Sequence, residues 1–320
     1  TPAPLSVDGE GPGERLFSEQ NMQNRFIGCL LGLAIGDALG APVEFLNATE
    51  IKQRHGRVTD YLGGGWLNLK PGEYSDDTAL MLCIARSIVD RKGFEPEDIA
   101  QRFLKWLAGN PKDIGNITLT ALQELKQGAP WQMAGKLAHE KLGGMSAGNG
   151  SIMRCAPIGL LHFRNEQKLI RDSLDSSLIT HWDPRACWGT VALDRAIARL
   201  VRGEKEGLLS NVGAKIEEPV MRKAVLGVAN LKKSDLAPSG FVLDTLICAL
   251  WCFLNTDSLE SAIVEAVNLG GDADTVGAVC GALAGAYYGK EAIPQRWLEP
   301  LAGRDEIEKL AVEIYKLAQE

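Results

Sequence analysis

The sequence predicts an all-α protein that folds as one large domain, and three observations support this prediction. Apolar residues recur with a helical period along most of the chain, strand-like alternation is nearly absent, and glycine-rich loops separate the helical segments. No change of composition divides the chain after residue 20. A chain of 320 residues can bury a large core, so we expect a single compact multi-helical domain over residues 21–320.

The first residues differ from the rest because they are rich in proline, glycine and acidic residues and lack periodicity. This composition predicts a flexible N-terminal arm over residues 1–20, and we expect the folded domain to begin near Asn21. Leu16 and Phe17 are apolar residues in an otherwise polar arm, which is typical of a segment that folds when it binds a partner.

The first predicted helix, residues 25–39, has apolar residues at helical spacing and ends before Gly40-Ala41-Pro42. Its glycines recur at every fourth position, and the same spacing returns in an apolar run near the C-terminus: Gly28, Gly32, Gly36 and Gly40, then Gly277, Gly281, Gly285 and Gly289. Each glycine inside a helix costs roughly 1 kcal/mol relative to alanine. The spacing therefore predicts two central helices that pack closely along their glycine faces.

The other periodic segments predict further helices: 78–91, 97–107, 117–125, 167–179, 184–202, 215–228, 242–255, 258–268 and 305–317. Glycine-rich loops lie between them, notably Gly63-Gly64-Gly65-Trp66 and the stretch 143–151. These helices complete the predicted all-α domain.

Charge and cysteine content exclude several classes of protein. The net charge of -7 leaves no basic surface for nucleic acid or an anionic membrane. The seven cysteines include no C-x-x-C pair and most lie on apolar helical faces, so we expect reduced core thiols and no zinc site. No signal peptide is visible, and no apolar run of membrane-spanning length with clean flanks is apparent. We therefore expect a cytoplasmic protein.

Two acidic clusters, each directly before an apolar helical run, carry the strongest functional signal. They are Ser75-Asp76-Asp77-Thr78 and Gly270-Gly271-Asp272-Ala273-Asp274-Thr275. A helix start often carries one acidic cap residue, but one cap does not need two carboxylates and a hydroxyl. Hard oxygen ligands grouped in this way suit Mg²⁺, Mn²⁺ or Ca²⁺. Together the clusters predict two halves of one divalent-metal centre.

Further motifs occur with these clusters in a defined order: Gly32-x-x-x-Gly36-Asp37-Ala38-Leu39-Gly40-x-x-x-Glu44, Ser75-Asp76-Asp77-Thr78, Gly148-Asn149-Gly150-Ser151-x-Met153-Arg154, Thr180-His181 and Gly270-Gly271-Asp272-Ala273-Asp274-Thr275. In this order the chain resembles the ADP-ribosylglycohydrolase family. Gly63-Gly64-Gly65-Trp66 and Asp113-x-Gly115-Asn116 are similar to its dinitrogenase reductase-activating glycohydrolase type. The resemblance implies a compact all-α enzyme with a binuclear Mg²⁺ or Mn²⁺ centre that removes ADP-ribose, typically from arginine.

The resemblance also implies roles for single residues. The implied metal ligands are Ser75, Asp76, Asp77, Asp272, Asp274 and Thr275. Ser75 stands where relatives often carry threonine, and serine keeps the hydroxyl. Asp37 is expected to be a structural carboxylate at a helix end rather than a ligand. Glu44 and Asp113 are the candidates for acid–base work or for stabilising an intermediate.

By the same resemblance, the implied substrate-binding residues are Asn116, Gly148, Asn149, Gly150, Ser151, Met153, His181 and Phe241. The loop 148–151 would cradle phosphates or the distal ribose through backbone N–H groups, although it matches neither the dinucleotide fingerprint nor the P-loop. For His181, a structural histidine near a helix start is the alternative. Phe241 stands where close relatives often carry tyrosine, and an aromatic ring there could stack on adenine.

Two alternatives stay open at this level. A related metal hydrolase could act on O-linked serine adducts or on free ADP-ribose derivatives. A catalytically reduced ADP-ribose-binding protein is the other alternative, although its ligands would be degraded and here the oxygen ligands are intact. The expected partner is an ADP-ribosylated protein. Residues 1–20 are also a candidate contact for a cognate ADP-ribosyltransferase, including a toxin that the protein would neutralise.

Overall fold

The computed structural model describes the backbone of residues 12–320 and the side chains from residue 19 onward, and it confirms the all-α prediction. Within these residues the only β-structure is three isolated bridges. The α-helices are α1 (Pro12–Gly40), α2 (Ala48–His55), α3 (Asp76–Arg91), α4 (Pro96–Ala108), α5 (Asn116–Lys126), α6 (Trp131–Lys141), α7 (Ala156–Leu161), α8 (Glu166–Leu178), α9 (Pro184–Leu200), α10 (Leu208–Gly213), α11 (Pro219–Gly227), α12 (Val242–Leu254), α13 (Leu259–Val267), α14 (Ala273–Tyr288), α15 (Gln295–Leu298) and α16 (Arg304–Leu317).

Every long segment with a helical apolar period is a helix in the structure, whereas five further helices were not predicted. These are α2, α6, α7, α10 and α15, which contain 4 to 11 residues each. Four of them have eight residues or fewer, too few turns for the periodic pattern to stand out, whereas α6 contains Gly135 and is as long as the predicted α5. Helix α2, for example, buries only Ile51 and is defined by a capping box between Asn47 and Glu50. The helix predicted from residue 215 begins later, at Pro219.

Helix α1 begins at Pro12, well before the boundary expected near Asn21. Residues 12–20 of the predicted arm are therefore helical, and the Tyr315 hydroxyl donates a hydrogen bond to the Glu19 carbonyl at 3.2 Å. Residues 1–11 and the side chains of Leu16 and Phe17 lie outside the described residues. The predictions of a flexible arm and of an apolar anchor there stay predictions.

Helices α1 and α14 lie antiparallel at the centre of the fold and touch backbone to backbone along their glycines. A Cβ added to Gly32 would lie 2.2 Å from the Gly281 carbonyl oxygen. A Cβ added to Gly36 would lie 2.0 Å from the Gly277 oxygen. No side chain larger than hydrogen fits between backbones this close, so the predicted glycine contact is confirmed.

The glycine contact extends to the C-terminal end of α14. Gly289 has a φ of 79° and ends this helix as its C-terminal cap, and its carbonyl carbon lies 2.6 Å from the position of a Cβ added to Gly28. At the opposite end, a Cβ on Gly40 would lie 2.3 Å from the carbonyl oxygen of Ala273. The antiparallel contact therefore brings the C-terminal end of α1 against the first residues of α14, where the second acidic cluster lies.

The apolar residues of α1 pack in the hydrophobic core. Its segment Glu19–Val43 is long and apolar enough to cross a membrane by length and composition, which corrects the expectation that no such run exists. Almost all of this segment is buried inside the protein. Phe26, Leu30 and Leu33 are wholly buried in the main hydrophobic cluster. All seven cysteines are free and buried, as expected for core thiols.

Candidate functional site

A cavity of about 370 Å³ lies where the N-terminal ends of α3, α5 and α14 meet the loop before residue 152. Most of the predicted site residues line it: Glu44, Asp76, Asp77, Asp113, Asn116, Gly148, Asn149, Gly150, Met153, His181, Asp272, Asp274 and Thr275. The two acidic clusters are about two hundred residues apart in the chain. The structure brings them to one cavity because α1 and α14 pack antiparallel and α3 begins beside the end of α1.

Helix α3 begins beside the end of α1 because Asp37 of α1 binds its first turn. The Asp37 carboxylate accepts hydrogen bonds from the backbone N–H of Ser75 at 2.8 Å and of Thr78 at 3.0 Å. It also accepts one from the Thr78 hydroxyl at 2.6 Å. Asp37 is fully buried and caps a different helix from its own. These bonds fit the prediction that Asp37 is a structural carboxylate.

The carboxylates at the cavity form a group that fits a divalent cation. One oxygen each from Glu44, Asp272 and Asp274 lie within 4.8 Å of one another. On the other side, Asp77 Oδ2 accepts a hydrogen bond from the Ser75 hydroxyl at 3.3 Å, while its Oδ1 is buried without any partner. A buried acceptor without a donor is costly unless a cation satisfies it. Carboxylate and hydroxyl oxygens are the ligands that Mg²⁺ and Mn²⁺ prefer.

The pKa values of these groups show how strongly the site favours positive charge. Burial raises the pKa of Asp76, Asp77 and Asp274 well above the usual range, and neighbouring carboxylates raise them further. Burial is also the main cause that raises the pKa of Glu44 to about 8. Removing these groups from water disfavours their charged forms, and like charges add to the cost. A bound divalent cation would stabilise the ionised carboxylates.

The glycine-rich loop is tied to the second acidic cluster through Asn149. Its backbone N–H donates to the Gly240 carbonyl at 3.0 Å. Its side-chain amide donates to Asp272 Oδ2 at 2.9 Å and to the Thr245 hydroxyl at 3.0 Å. The amide of Asn149 therefore orients Asp272, a predicted metal ligand. The sequence did not predict this role for Asn149.

His181 lies against the same loop and is almost wholly buried. A Cβ added to Gly150 would lie 2.9 Å from the His181 Cε1, so glycine allows the loop to pack on the imidazole. The ring Nδ1 lies 2.8 Å from the Thr180 hydroxyl. Burial, and then the charge of Arg154, lower the pKa of His181 to about 3, so the imidazole is neutral at physiological pH. His181 both lines the cavity and packs the loop.

Three predicted site residues do not line this cavity. Ser75 lies at the start of α3 with its hydroxyl directed to Asp77. The Ser151 hydroxyl is buried and accepts a hydrogen bond from Thr190 at 3.1 Å. The Arg185 guanidinium lies over the ring of Phe241, with its Cζ 5.4 Å from the ring centroid. Phe241 is not among the residues that line the cavity, and its expected stacking on adenine stays a prediction.

Two aromatic residues at the cavity were not predicted as site residues. Phe45 and Trp66 both line it, and the Trp66 indole N–H donates to Glu44 Oε2 at 2.6 Å. The available signals were the position of Phe45 directly after Glu44 and the presence of Trp66 in the Gly63-Gly64-Gly65-Trp66 motif. Neither signal showed that the two segments meet.

The chain is similar to known proteins along most of its length. The ADP-ribosylglycohydrolase family profile matches residues 18–320. ADP-ribosylarginine hydrolase Tri1 of Serratia proteamaculans (strain 568) is 34% identical over 314 residues, which cover 95% of this chain and 82% of that protein. ADP-ribosyl-[dinitrogen reductase] glycohydrolase of Rhodospirillum rubrum is 34% identical over 285 residues, which cover 88% and 91%. A solved structure described as an ADP-ribosylglycohydrolase-related protein complex superposes with a TM-score of 0.81 at 38% identity, covering 93% of this chain and 99% of that one.

Proposed function

Because the chain belongs to the ADP-ribosylglycohydrolase family, we propose that it is a metal-dependent hydrolase that releases ADP-ribose from arginine side chains of modified proteins. Such an enzyme reverses mono-ADP-ribosylation. The convergence of two acidic helix starts on one cavity carries the proposal. The arginine linkage is supported by the similarity to a relative named ADP-ribosylarginine hydrolase.

The proposed metal ligands are the oxygens of Ser75, Asp76, Asp77, Asp272, Asp274 and Thr275. Two Mg²⁺ ions, or Mn²⁺ in their place, would orient the ribose hydroxyls and lower the pKa of a water molecule when bound. Asn149 holds the Asp272 carboxylate by a hydrogen bond, and the Ser75 hydroxyl donates to Asp77 Oδ2 while Asp77 Oδ1 is buried without a partner. The chain thus supplies ligands whose orientation is set before a cation binds.

The reaction adds the hydroxyl of water to the anomeric carbon of the ribose and a proton to the leaving nitrogen. We assign the proton transfer to Asp113 or Glu44. Burial is the main cause that raises the pKa of both carboxyl groups, to about 8 for Glu44, so each holds a proton more readily than an exposed carboxyl group does. In the same proposal the N–H groups around Gly148 and Gly150, with neutral His181, hold the ADP part of the substrate.

The test is to incubate an ADP-ribosyl-arginine protein with the enzyme, with Mg²⁺ or with a chelator, and to measure released ADP-ribose. We expect release with Mg²⁺ and none with chelator. A serine-linked ADP-ribosyl protein and free ADP-ribose derivatives, assayed in parallel, distinguish the alternative linkages. Release from the serine-linked protein alone would refute the arginine assignment. ADP-ribose binding without release from any substrate would instead indicate a catalytically reduced binding protein.

We further propose that the protein is cytoplasmic. We also propose that its N-terminal residues contact a cognate ADP-ribosyltransferase. Such a contact would allow the protein to neutralise a toxin of that kind. The contact residues proposed from the sequence, 1–20, lie partly outside the described residues. Deleting residues 1–20 removes the whole proposed contact, including Leu16 and Phe17, together with the first residues of helix α1. Hydrolysis should persist in this variant while binding to the transferase weakens, and unchanged binding would contradict the proposed contact.

A further inference from the structure

Two exposed aromatic rings lie side by side at the cavity. Phe45 is 68% exposed and Trp66 is 54% exposed, and among residues 19–320 no other aromatic side chain is comparably exposed. Their ring centroids are 5.7 Å apart, with the planes inclined by 41°. Both rings also line the cavity that holds the carboxylates. They form an open aromatic platform at the mouth of the cavity.

The platform is attached to the acidic cluster by specific bonds. Phe45 has a φ of 67°, a left-handed conformation that is strained for a non-glycine residue. Its N–H donates at 2.7 Å to the carbonyl of Gly271, the residue directly before Asp272. The Trp66 indole N–H donates to Glu44 at 2.6 Å. The fold therefore maintains a strained backbone that leaves these apolar rings in water beside the carboxylates.

The chemistry of a guanidinium group matches this platform. A guanidinium is a planar cation that stacks on aromatic faces, with tryptophan as the best partner, and it is attracted by carboxylates. In the proposed reaction the ribose lies at the acidic cluster that includes Glu44. The nitrogen attached to that ribose then lies close to the ring bonded to Glu44.

We propose that Phe45 and Trp66 receive the guanidinium of the ADP-ribosylated arginine and make the enzyme selective for this linkage. The inference rests on the proposed hydrolase function and names the part of the site that recognises the modified side chain. A serine-linked adduct or free ADP-ribose offers no planar cation to the rings. The platform thus stabilises the arginine-linked substrate and leaves the others without this contact.

The experiment compares Trp66→Leu, Trp66→Phe and Phe45→Leu with the wild type. Leucine at position 66 removes both the aromatic face and the N–H bond to Glu44, whereas phenylalanine keeps a face and removes only the bond. For each protein kcat/KM is measured on ADP-ribosyl-arginine with Mg²⁺, and affinity for ADP-ribose, which has no guanidinium, is measured by calorimetry. Far-UV circular dichroism and thermal unfolding show whether each variant is folded.

We expect Trp66→Leu to lower kcat/KM about 3- to 30-fold, the range that a cation–π contact supports, with a smaller loss for Phe45→Leu. Trp66→Phe should retain most of the activity, and ADP-ribose affinity should stay within about 3-fold for all variants. Full activity of Trp66→Leu would overturn the inference. So would an equal loss in Trp66→Phe, since that result would assign the effect to the bond with Glu44. A wild type that releases no ADP-ribose from arginine would instead overturn the proposed function.

Discussion

Replacing Gly281 with alanine is expected to force the two central helices apart. A Cβ at this position would lie 1.9 Å from the carbonyl oxygen of Gly32 and 2.6 Å from its carbonyl carbon. Ordinary Cβ contacts begin at 3.4 Å, so the backbones would have to separate by about 1.5 Å. Both clashing atoms belong to the backbone of a buried helix, which cannot move aside as a flexible side chain does.

The expected change in the free energy of unfolding results from two opposing effects. Overpacking a buried contact costs roughly 1–3 kcal/mol, and a backbone clash belongs at the upper end or beyond it. Alanine favours the helical state by about 1 kcal/mol relative to glycine, which offsets part of the cost. We therefore expect a net loss of about 1–3 kcal/mol and a Tm lower by roughly 2–5 °C. Gly281→Leu and Gly32→Leu should lose more.

Thermal and urea unfolding, followed by far-UV circular dichroism, measure the effect. Gly227→Ala is the matched control because a Cβ there meets no atom within 4 Å and its φ is -78°. The control should be neutral or slightly more stable than the wild type. If Gly281→Ala unfolds at or above the wild-type Tm, the close backbone contact does not limit the size of this residue. The packing explanation for the glycine spacing would then be wrong.

Two further predictions concern buried carboxylates. Asp76→Ala or Asp274→Ala should abolish ADP-ribose release while circular dichroism stays largely unchanged. Mg²⁺ should raise the Tm of the wild type but not of either variant. Release of ADP-ribose at the wild-type rate by these variants would contradict the metal-centre proposal. Burial raises the pKa of Asp194 to about 7. The folded state therefore binds the Asp194 proton more tightly than the unfolded state does. Protonation of Asp194 stabilises the fold at low pH, and this contribution is lost as pH rises through 7. Asp194→Asn should therefore reduce the difference in urea midpoint between about pH 5 and pH 8, measured in chelator, and an unchanged difference would exclude Asp194 as its source.

Much of the fold could be predicted from the sequence because its signals are local. An apolar period of 3.6 residues identified the longer helices such as α9 and α12, whereas the six-residue α10 has too few turns to show this period. Glycine at every fourth position predicts close packing because interior glycines are otherwise costly. Paired carboxylates at two helix starts predict a metal site from ligand chemistry alone.

The use of each polar or aromatic side chain was decided only by the tertiary structure. Asp37 caps a helix that is not its own, Asn149 orients Asp272, and Phe241 packs on a cation outside the cavity. Trp66 reaches the site because its loop folds back onto Glu44. Each outcome depends on which distant segments come within hydrogen-bonding or van der Waals distance. The sequence determined which groups were available, whereas packing determined which of them meet. The contact of α1 with α14 places the second acidic cluster beside the end of α1, and Asp37 near that end holds the start of α3 and with it the first cluster.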